Sequence, residues 1–533
     1  MQKSLYQILE PAKIECPEHY RNIQITGLAF DSRAVKPGFL FFALPGVHTN
    51  GNRFIASALK NGAKAVIYQD ELPAELETAE AAFLHVKDSR FVMAAVADAF
   101  YDFPSKKLVI YGVTGTEGKS STVSFIWQLL RKAGKKCGFI STVEYSLGGE
   151  ALPNPEHQTT PEAPIICEKL YEMIQNGCTH AVVESSSHGL SVRTNRLGSV
   201  LFDEAAFMNV THEHLEFHGT LEQYKFDKAN LFRALDKHDH KKLLCGNKEP
   251  EQINPVGAVN LDDKAAGYFA EATKHKVFGF SIEEKPTVPP SITDYFVAKG
   301  IKETATGVTC VIRRMHKDGA NTATLYEQQA ELSVYGTFNV HNALAATILI
   351  SASCGIDERK IIEWWNTLKP VTGRMTVIDQ GQPFEVLIDY AHTPSSFETI
   401  FKPLSERIHG RGSRIIALFG SAGERDTKKR PEQGRIASKY ADIIILTDED
   451  PRKEDAVSIL KEIAAGCVNK TEGKDLLLIN NRPEAIRKAF SLAKAGDLVL
   501  LLGKGHENSI IYNETATPYN EIAEAKAALE DIL

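Results

Sequence analysis

The stretch Val113-Thr114-Gly115-Thr116-Glu117-Gly118-Lys119-Ser120-Ser121 puts two glycines, a lysine and two serines into one turn. An apolar run, Leu108 to Tyr111, precedes it, and Val123, Ile126, Trp127 and Leu130 follow at helical spacing. A turn from strand to helix gathers backbone N–H groups and the positive end of a helix at one point, which suits phosphate. In that setting Lys119 reaches the β/γ-phosphates of a nucleotide and the Ser120 hydroxyl holds Mg²⁺. Val113 stands where the phosphate-loop pattern has its first glycine, so the strand–loop–helix context carries the reading; a glycine turn without nucleotide is the plain alternative.

A second group of reactive side chains lies downstream: Glu184-Ser185-Ser186-Ser187-His188, then Asn209-Val210-Thr211-His212-Glu213-His214, His218-Gly219 and Lys228. Hard Mg²⁺ takes oxygen ligands, so Glu184 is the natural carboxylate, with one imidazole as companion. Zinc on His212, His214 and His218 competes with that reading, as do ordinary loop histidines. Toward the C-terminus, Gly373-Arg374, Asp389 and His392 could clamp a γ-phosphate and ribose. Three turns follow apolar strands: Gly423-Glu424-Arg425-Asp426, Glu449-Asp450-Pro451-Arg452 and Gly503-Lys504-Gly505-His506-Glu507. Strand ends are where α/β sheets bind ligands, and arginines beside carboxylates suit a zwitterionic amino acid.

A chain of 533 residues exceeds the roughly 250–300 at which one core stops growing. We expect an α/β protein of three domains. Residues 1–107 read as a small N-terminal α/β domain, with runs at Phe39–Leu44 and Ala65–Tyr68 and a helical pattern around Phe54–Leu59. Residues 108–369 read as a central P-loop-type parallel sheet with a β insertion from about 265 to 335. Residues 370–533 alternate strand runs (386–388, 415–419, 443–446, 498–501) with helices, as a Rossmann-like domain does. The apolar share of 43%, net charge of −7 and pI of 6.2 describe a globular protein with no general attraction for nucleic acid. No leader-like start or long apolar run predicts membrane insertion, so a cytoplasmic monomer is expected. Eight scattered cysteines without a C-x-x-C pair read as buried free thiols.

These residues resemble the Mur ligase family, over nearly the whole chain, and within it the branch that adds a diamino acid to UDP-N-acetylmuramoyl-L-alanyl-D-glutamate in peptidoglycan synthesis. The turn is similar to T-G-T-N-G-K-[TS], with Glu117 in place of asparagine. Gly336-Thr337-Phe338-Asn339-Val340-His341-Asn342-Ala343 resembles the adenine-side segment, and Asp389-Tyr390-Ala391-His392-Thr393-Pro394 resembles the D-Y-A-H-T-P signature. The resemblance implies that ATP meets Thr114 through Ser121, Asn339, Asn342, Arg374 and Asp389, the last at the ribose. It implies Mg²⁺ on Ser120, Glu184, His214 and Lys228, with Lys228 carbamylated to N6-carboxylysine. Lys119, Glu184, His214, Lys228 and Arg374 become the catalytic set. For the nucleotide-sugar peptide it implies Phe30 and Ser32, then Val47, His48 and Thr49, then Gln158, Thr159, Thr160, Ser186, Thr194 and Arg196. Gln158 stands where asparagine is usual.

For the amino acid, the same resemblance points to Arg425, Glu449, Asp450, Pro451, Arg452, Gly503 and Glu507. Relatives that add diaminopimelate read D-N-P-R where this chain has Glu449-Asp450-Pro451-Arg452. A carboxylate at 450 repels the distal carboxylate of diaminopimelate and attracts the ammonium of L-lysine or L-ornithine, with about 4 kcal/mol for a pair at ~4 Å and an effective dielectric of ~20. Lysine or ornithine is therefore favoured over meso-diaminopimelate, which stays the alternative because Arg452 can bind a carboxylate. The implied chemistry is ATP-driven formation of an acyl phosphate and its capture by an amine. Folate polyglutamate ligases leave Asp31-Ser32-Arg33 unexplained, and a non-catalytic nucleotide-binding homologue leaves Lys119, Glu184, His214, Lys228 and Arg374 idle.

Overall fold

The structure is a computed structural model that describes all residues except 47–49, 73–75, 77–79, 157, 212–214, 305 and 533. It contains two compact units, one of residues 1–297, 314–326 and 343–361, the other of residues 298–313, 327–342 and 362–533.

In the first unit, a four-stranded sheet comes from the N-terminal residues. Gly27–Ala29, Phe39–Phe42, Ala65–Tyr68 and Ala82–His85 run parallel in that order. Leu40, Phe42 and Ile67 point into the core that includes Met93, Val96 and Phe100 of the helix Ser89–Phe100. The larger sheet has eleven strands in the order Leu152–Pro153, Glu144–Ser146, Cys137–Ile140, His180–Glu184, Val109–Thr114, Glu204–Phe207, Val256–Asn260, Lys276–Ser281, Asp294–Glu303, Val308–Asp318, Asn321–Leu332. From Cys137–Ile140 as far as Asp294–Glu303 the neighbours are parallel. The strand Val109–Thr114 is buried along its whole length, which is why it reads as a continuous apolar run and not as an alternation. It continues three residues beyond the apolar run Leu108–Tyr111, into the turn itself.

Asp294–Glu303, Val308–Asp318 and Asn321–Leu332 form the β-rich stretch expected between 265 and 335, and their residues are divided between the two units. The sheet of the second unit has the order Thr376–Val377, Glu385–Asp389, Leu498–Leu502, Ile415–Phe419, Ile443–Leu446, Leu476–Leu478, all parallel except the first strand. Helices cover both of its faces, on one side packing Phe397, Phe401 and Ile436, on the other Ile486, Phe490 and Ala528. Parallel strands joined by helices on both faces make this the doubly wound layer that the alternating pattern predicted. Six of the eight cysteines are buried; Cys245 is exposed and Cys354 half-buried, so burial holds for most of the thiols and not for all.

Candidate active site

The turn after Val109–Thr114 enters the helix Lys119–Lys132 through Gly118, whose φ of 82° a side chain would strain. Asn209 braces the turn from the neighbouring strand end: its Oδ1 accepts the N–H groups of Thr116 at 3.0 Å and Glu117 at 2.8 Å. Lys119 folds back so that Nζ donates to the Thr116 carbonyl at 2.7 Å. Ser120 Oγ donates to Glu184 Oε2 at 2.9 Å, joining the head of the helix to the end of the strand His180–Glu184. Thr142, which the sequence did not single out, holds the same carboxylate through its N–H at 2.8 Å and its hydroxyl at 3.0 Å. Lys228, on the helix Leu221–Leu235, is 1% exposed and donates to the Gly115 carbonyl at 2.6 Å. The structure thus brings the turn, the carboxylate and Lys228 together. His212 and His214 lie outside the described residues.

His218 faces Asp227 Oδ2 with Nδ1 at 2.8 Å and Ser187 Oγ with Nε2 at 3.0 Å. The order Asp227–His218–Ser187 is that of a nucleophile relay, but Ser187 is 2% exposed and the Asp227 and His218 side chains are wholly buried. It braces the segment after Glu184 against the helix that carries Lys228. Both ring nitrogens of His218 are engaged in these contacts, and the other two histidines of the zinc alternative lie outside the described residues.

The implied substrate-peptide residues fall around the same strand end. Thr160 Oγ1 donates to the Glu184 carbonyl at 2.9 Å and accepts the Ser186 N–H at 3.0 Å. Arg196 donates to the Thr160 carbonyl at 3.0 Å and, with Arg90, grips Glu162. Thr194 Oγ1 donates to the His188 carbonyl, Thr159 is half-buried and Gln158 is exposed. In the N-terminal sheet Ser32 is buried beside the half-buried Phe30, while Arg33 is spread over Asp31 at the surface. Val47, His48 and Thr49 lie outside the described residues.

In the second unit Asp389 is buried, and its two oxygens accept the N–H groups of Met375 and Ala391, each at 2.8 Å. Burial pushes its carboxyl above the usual range against the pull of Arg374. The Arg374 guanidinium lies 4.6 Å over the Tyr390 ring, and the Tyr390 hydroxyl donates to Glu507 at 3.2 Å. Asn339 and Asn342 are linked, Asn342 Nδ2 donating to Asn339 Oδ1 at 2.8 Å.

Asp450 corrects the picture of a bare carboxylate. Its Oδ1 accepts from Lys504 Nζ at 2.9 Å and from the Ile511 N–H at 3.0 Å. Lys504, fully buried, also donates to Glu507 Oε2 at 2.6 Å. The charge offered to a ligand is that of the trio, two carboxylates against one ammonium, and not that of Asp450 alone. Lys504 was missed as a contact because 54 residues separate it from Asp450. Around the trio, four buried atoms have no hydrogen-bond partner among the described residues: Glu449 Oε2, Arg452 Nε, Arg374 Nε and His506 Nδ1. Burial holds the His506 imidazole neutral, down at about 3, with Arg374 and Lys504 adding to the effect. Gly503 is required here, since a side chain at its φ of 100° would start 2.8 Å from Glu449 Oε2. Pro451 is buried, and Arg425 is exposed on the turn after Ile415–Phe419.

Buried polar atoms without partners cost free energy, so a cluster of them at parallel strand ends marks a place built for a polar ligand. Together with the phosphate turn of the first unit, this is the equipment of a nucleotide-driven ligase. Comparison with known proteins gives the family. Residues 24–101 match the model of the Mur ligase family catalytic domain, 113–350 that of the Mur ligase middle domain, and 373–505 that of the Mur ligase glutamate ligase domain. The chain is 51% identical to a UDP-N-acetylmuramyl-tripeptide synthetase of Treponema denticola, over 96% of this chain and 93% of that one. It is 35% identical to a UDP-N-acetylmuramoyl-L-alanyl-D-glutamate–2,6-diaminopimelate ligase of Geobacillus kaustophilus, over 96% of each chain. A solved structure of a ligase of the latter name superposes with a TM-score of 0.63 at 27% identity, covering 100% of this chain and 99% of that one. The chain belongs to the Mur ligase family and is an enzyme, an acid–amino-acid ligase that forms amide bonds with ATP.

Proposed function

We propose that the enzyme adds L-lysine or L-ornithine, in preference to meso-diaminopimelate, to UDP-N-acetylmuramoyl-L-alanyl-D-glutamate through an acyl phosphate, as a step of peptidoglycan synthesis. The proposal includes domain limits at 107 and 369 and action as a cytoplasmic monomer. The names of the relatives in T. denticola and G. kaustophilus support the nucleotide-sugar dipeptide as acceptor. The observation that carries the chemistry is the Ser120–Glu184 pair, at 2.9 Å, set at the head of the helix that Lys119 opens.

Ser120 Oγ and the Glu184 carboxylate are hard oxygen donors on two different elements, and they fit Mg²⁺. Lys228, as a carbamate, would with His214 add further donors. Bound there, Mg²⁺ neutralises charge on the phosphates. In this reading the chain's own part begins with Lys119 exchanging the Thr116 carbonyl for the β/γ-phosphates, while the N–H groups of the turn orient them. Thr160, Ser186 and Arg196 hold the acceptor peptide so that its carboxylate meets the γ-phosphate, and Arg374 meets developing negative charge. Asn339, Asn342 and Asp389 take the adenosine.

The amino acid reading rests on charge. Asp450, Lys504 and Glu507 leave one excess negative charge, and Glu449 adds a buried oxygen without a partner. An ω-ammonium satisfies both; a second carboxylate satisfies neither. Arg452, with its unpartnered Nε, is the group for the α-carboxylate. The test is phosphate release by the purified protein with ATP, Mg²⁺ and UDP-N-acetylmuramoyl-L-alanyl-D-glutamate, offering lysine, ornithine and meso-diaminopimelate separately. Release with lysine or ornithine is expected; fastest release with meso-diaminopimelate supports the alternative, and silence in all three overturns the proposal.

A further inference from the structure

The segment that carries Asn339 and Asn342 is held from a direction its own sequence does not announce. Glu303 closes the strand Asp294–Glu303, and its side chain is 5% exposed. Its Oε1 accepts the Gly336 N–H at 3.2 Å, and the Thr337 N–H also donates to the carboxylate. The other oxygen faces Arg407 Nε at 3.7 Å. Arg407 sits near the end of the helix Pro394–His409 and donates to both oxygens of Glu385, at 3.0 and 2.7 Å. Tyr335 and Phe338, on either side of the turn, pack against the core that holds Phe397 and Phe401 of that helix. The Tyr335 carbonyl in turn accepts Asn339 Nδ2 at 2.6 Å. All of these residues belong to the second unit.

The chain of contacts links two ends of one proposed task. Asp389 precedes the helix Pro394–His409 and Arg407 lies in its last turn. Arg407 therefore links the adenine-side turn to the element that begins beside the ribose residue through a buried ion pair at 3.7 Å, without a hydrogen bond between the two facing atoms. We propose that Glu303 and Arg407 are positioning residues for the nucleotide, a latch that fixes the turn Gly336–Phe338, and with it Asn339 and Asn342, to the helix Pro394–His409. The inference rests on the reading of Asn339 and Asn342 as adenine-side residues and of Asp389 as the ribose residue. Glu303 and Arg407 themselves touch no substrate. A charge-assisted acceptor for two consecutive N–H groups removes freedom from a glycine turn, so the adenine site is formed before the nucleotide arrives. Without the carboxylate, the nucleotide must order that turn at its own expense.

The test uses the full chain and the variants Glu303→Ala, Glu303→Gln and Arg407→Gln. The readouts are KM for each substrate, melting temperature and the Kd of a non-hydrolysable ATP analogue. Glu303→Ala is expected to raise the ATP KM and the analogue Kd about tenfold, the worth of one charge-assisted hydrogen bond. KM for the nucleotide-sugar dipeptide and the diamino acid stays close to wild type. Glu303→Gln keeps an acceptor for Gly336 and recovers much of the nucleotide affinity. Arg407→Gln resembles Glu303→Ala, and the double variant is no worse than either, as members of one linkage behave. An unchanged ATP KM in Glu303→Ala, or a parallel rise in every KM with a fall in melting temperature, overturns the latch. Asn342→Ala separates the two layers of the argument. If it leaves nucleotide affinity unchanged, the adenine-side reading fails and the latch with it; if it weakens binding while Glu303→Ala does not, the latch alone fails.

Discussion

Lys119, Ser120, Glu184 and Lys228, around the phosphate turn, each lean on another part of the protein, whereas Arg374, Glu449, Arg452 and His506, at the strand ends of the second unit, each carry a buried atom without a hydrogen-bond partner among the described residues. In the proposed function the two places meet different ligands. On that reading a triphosphate brings acceptors, so the first place would exchange one partner for another: Lys119 would leave a carbonyl for a phosphate, with little change in the count of hydrogen bonds. On the same reading, Glu449 and Arg452 at the second place would gain partners when an amino acid supplies an ammonium and a carboxylate, so binding there would relieve a cost already present in the fold. The difference implies, under that proposal, that ligand binding alters the first place little and depends at the second on one pattern of charge.

The comparison breaks most visibly at Glu184. Glu184→Gln is expected to lower kcat by roughly 10²–10³-fold and also to cost about 1–3 kcal/mol of stability, because the carboxylate holds Ser120 and both donors of Thr142. Urea unfolding beside steady-state rates checks both effects; full stability with lost activity would show that the internal partners contribute nothing. Glu449→Gln should behave in the opposite way, raising KM for the diamino acid about tenfold while the melting temperature holds or rises, since the oxygen it alters has no partner to lose. A large fall in melting temperature would contradict an unfilled site. The smallest effect is one of pH, at Asp294 in the first unit. Burial alone would raise this carboxyl, but hydrogen bonds from Lys276 and His316 and the charge of Arg314 outweigh it and hold it down at about 2. A carboxyl depressed on folding stabilises the native state above its unfolded value, and that stabilisation is lost as pH falls through the folded one. Acid titration of stability should therefore be steeper in wild type than in Asp294→Asn over the window from ~4 to ~2.

The phosphate turn was legible because everything that makes it lies within a few residues: a buried strand, two glycines, a lysine and an amphipathic helix. The doubly wound second sheet was legible for the same reason, as each strand is a local apolar run. Glu184 could be picked out by type, since a lone carboxylate after a buried strand near a phosphate turn has few other uses. Thr142, its principal anchor, could not, because threonines are common and the contact crosses 42 residues. Asp450 was legible as a charge and misleading as a contact, because nothing near it in sequence names Lys504 as its partner. Glu303 and Arg407 carried no signal at all, since a charged residue ending a strand and an arginine in a last helical turn are ordinary surface features until the fold buries them together.

The most direct test of the account is a competition in one tube. Wild type and Asp450→Asn are given ATP, Mg²⁺, UDP-N-acetylmuramoyl-L-alanyl-D-glutamate and equal concentrations of lysine, ornithine and meso-diaminopimelate, and the tripeptide products are weighed by mass spectrometry. The account predicts that wild type makes the lysine or ornithine product. It also predicts that Asp450→Asn, which cancels the excess charge of the trio, shifts the ratio toward diaminopimelate by about tenfold. A wild-type product that is chiefly the diaminopimelate tripeptide, or a ratio that Asp450→Asn leaves unmoved, would contradict it.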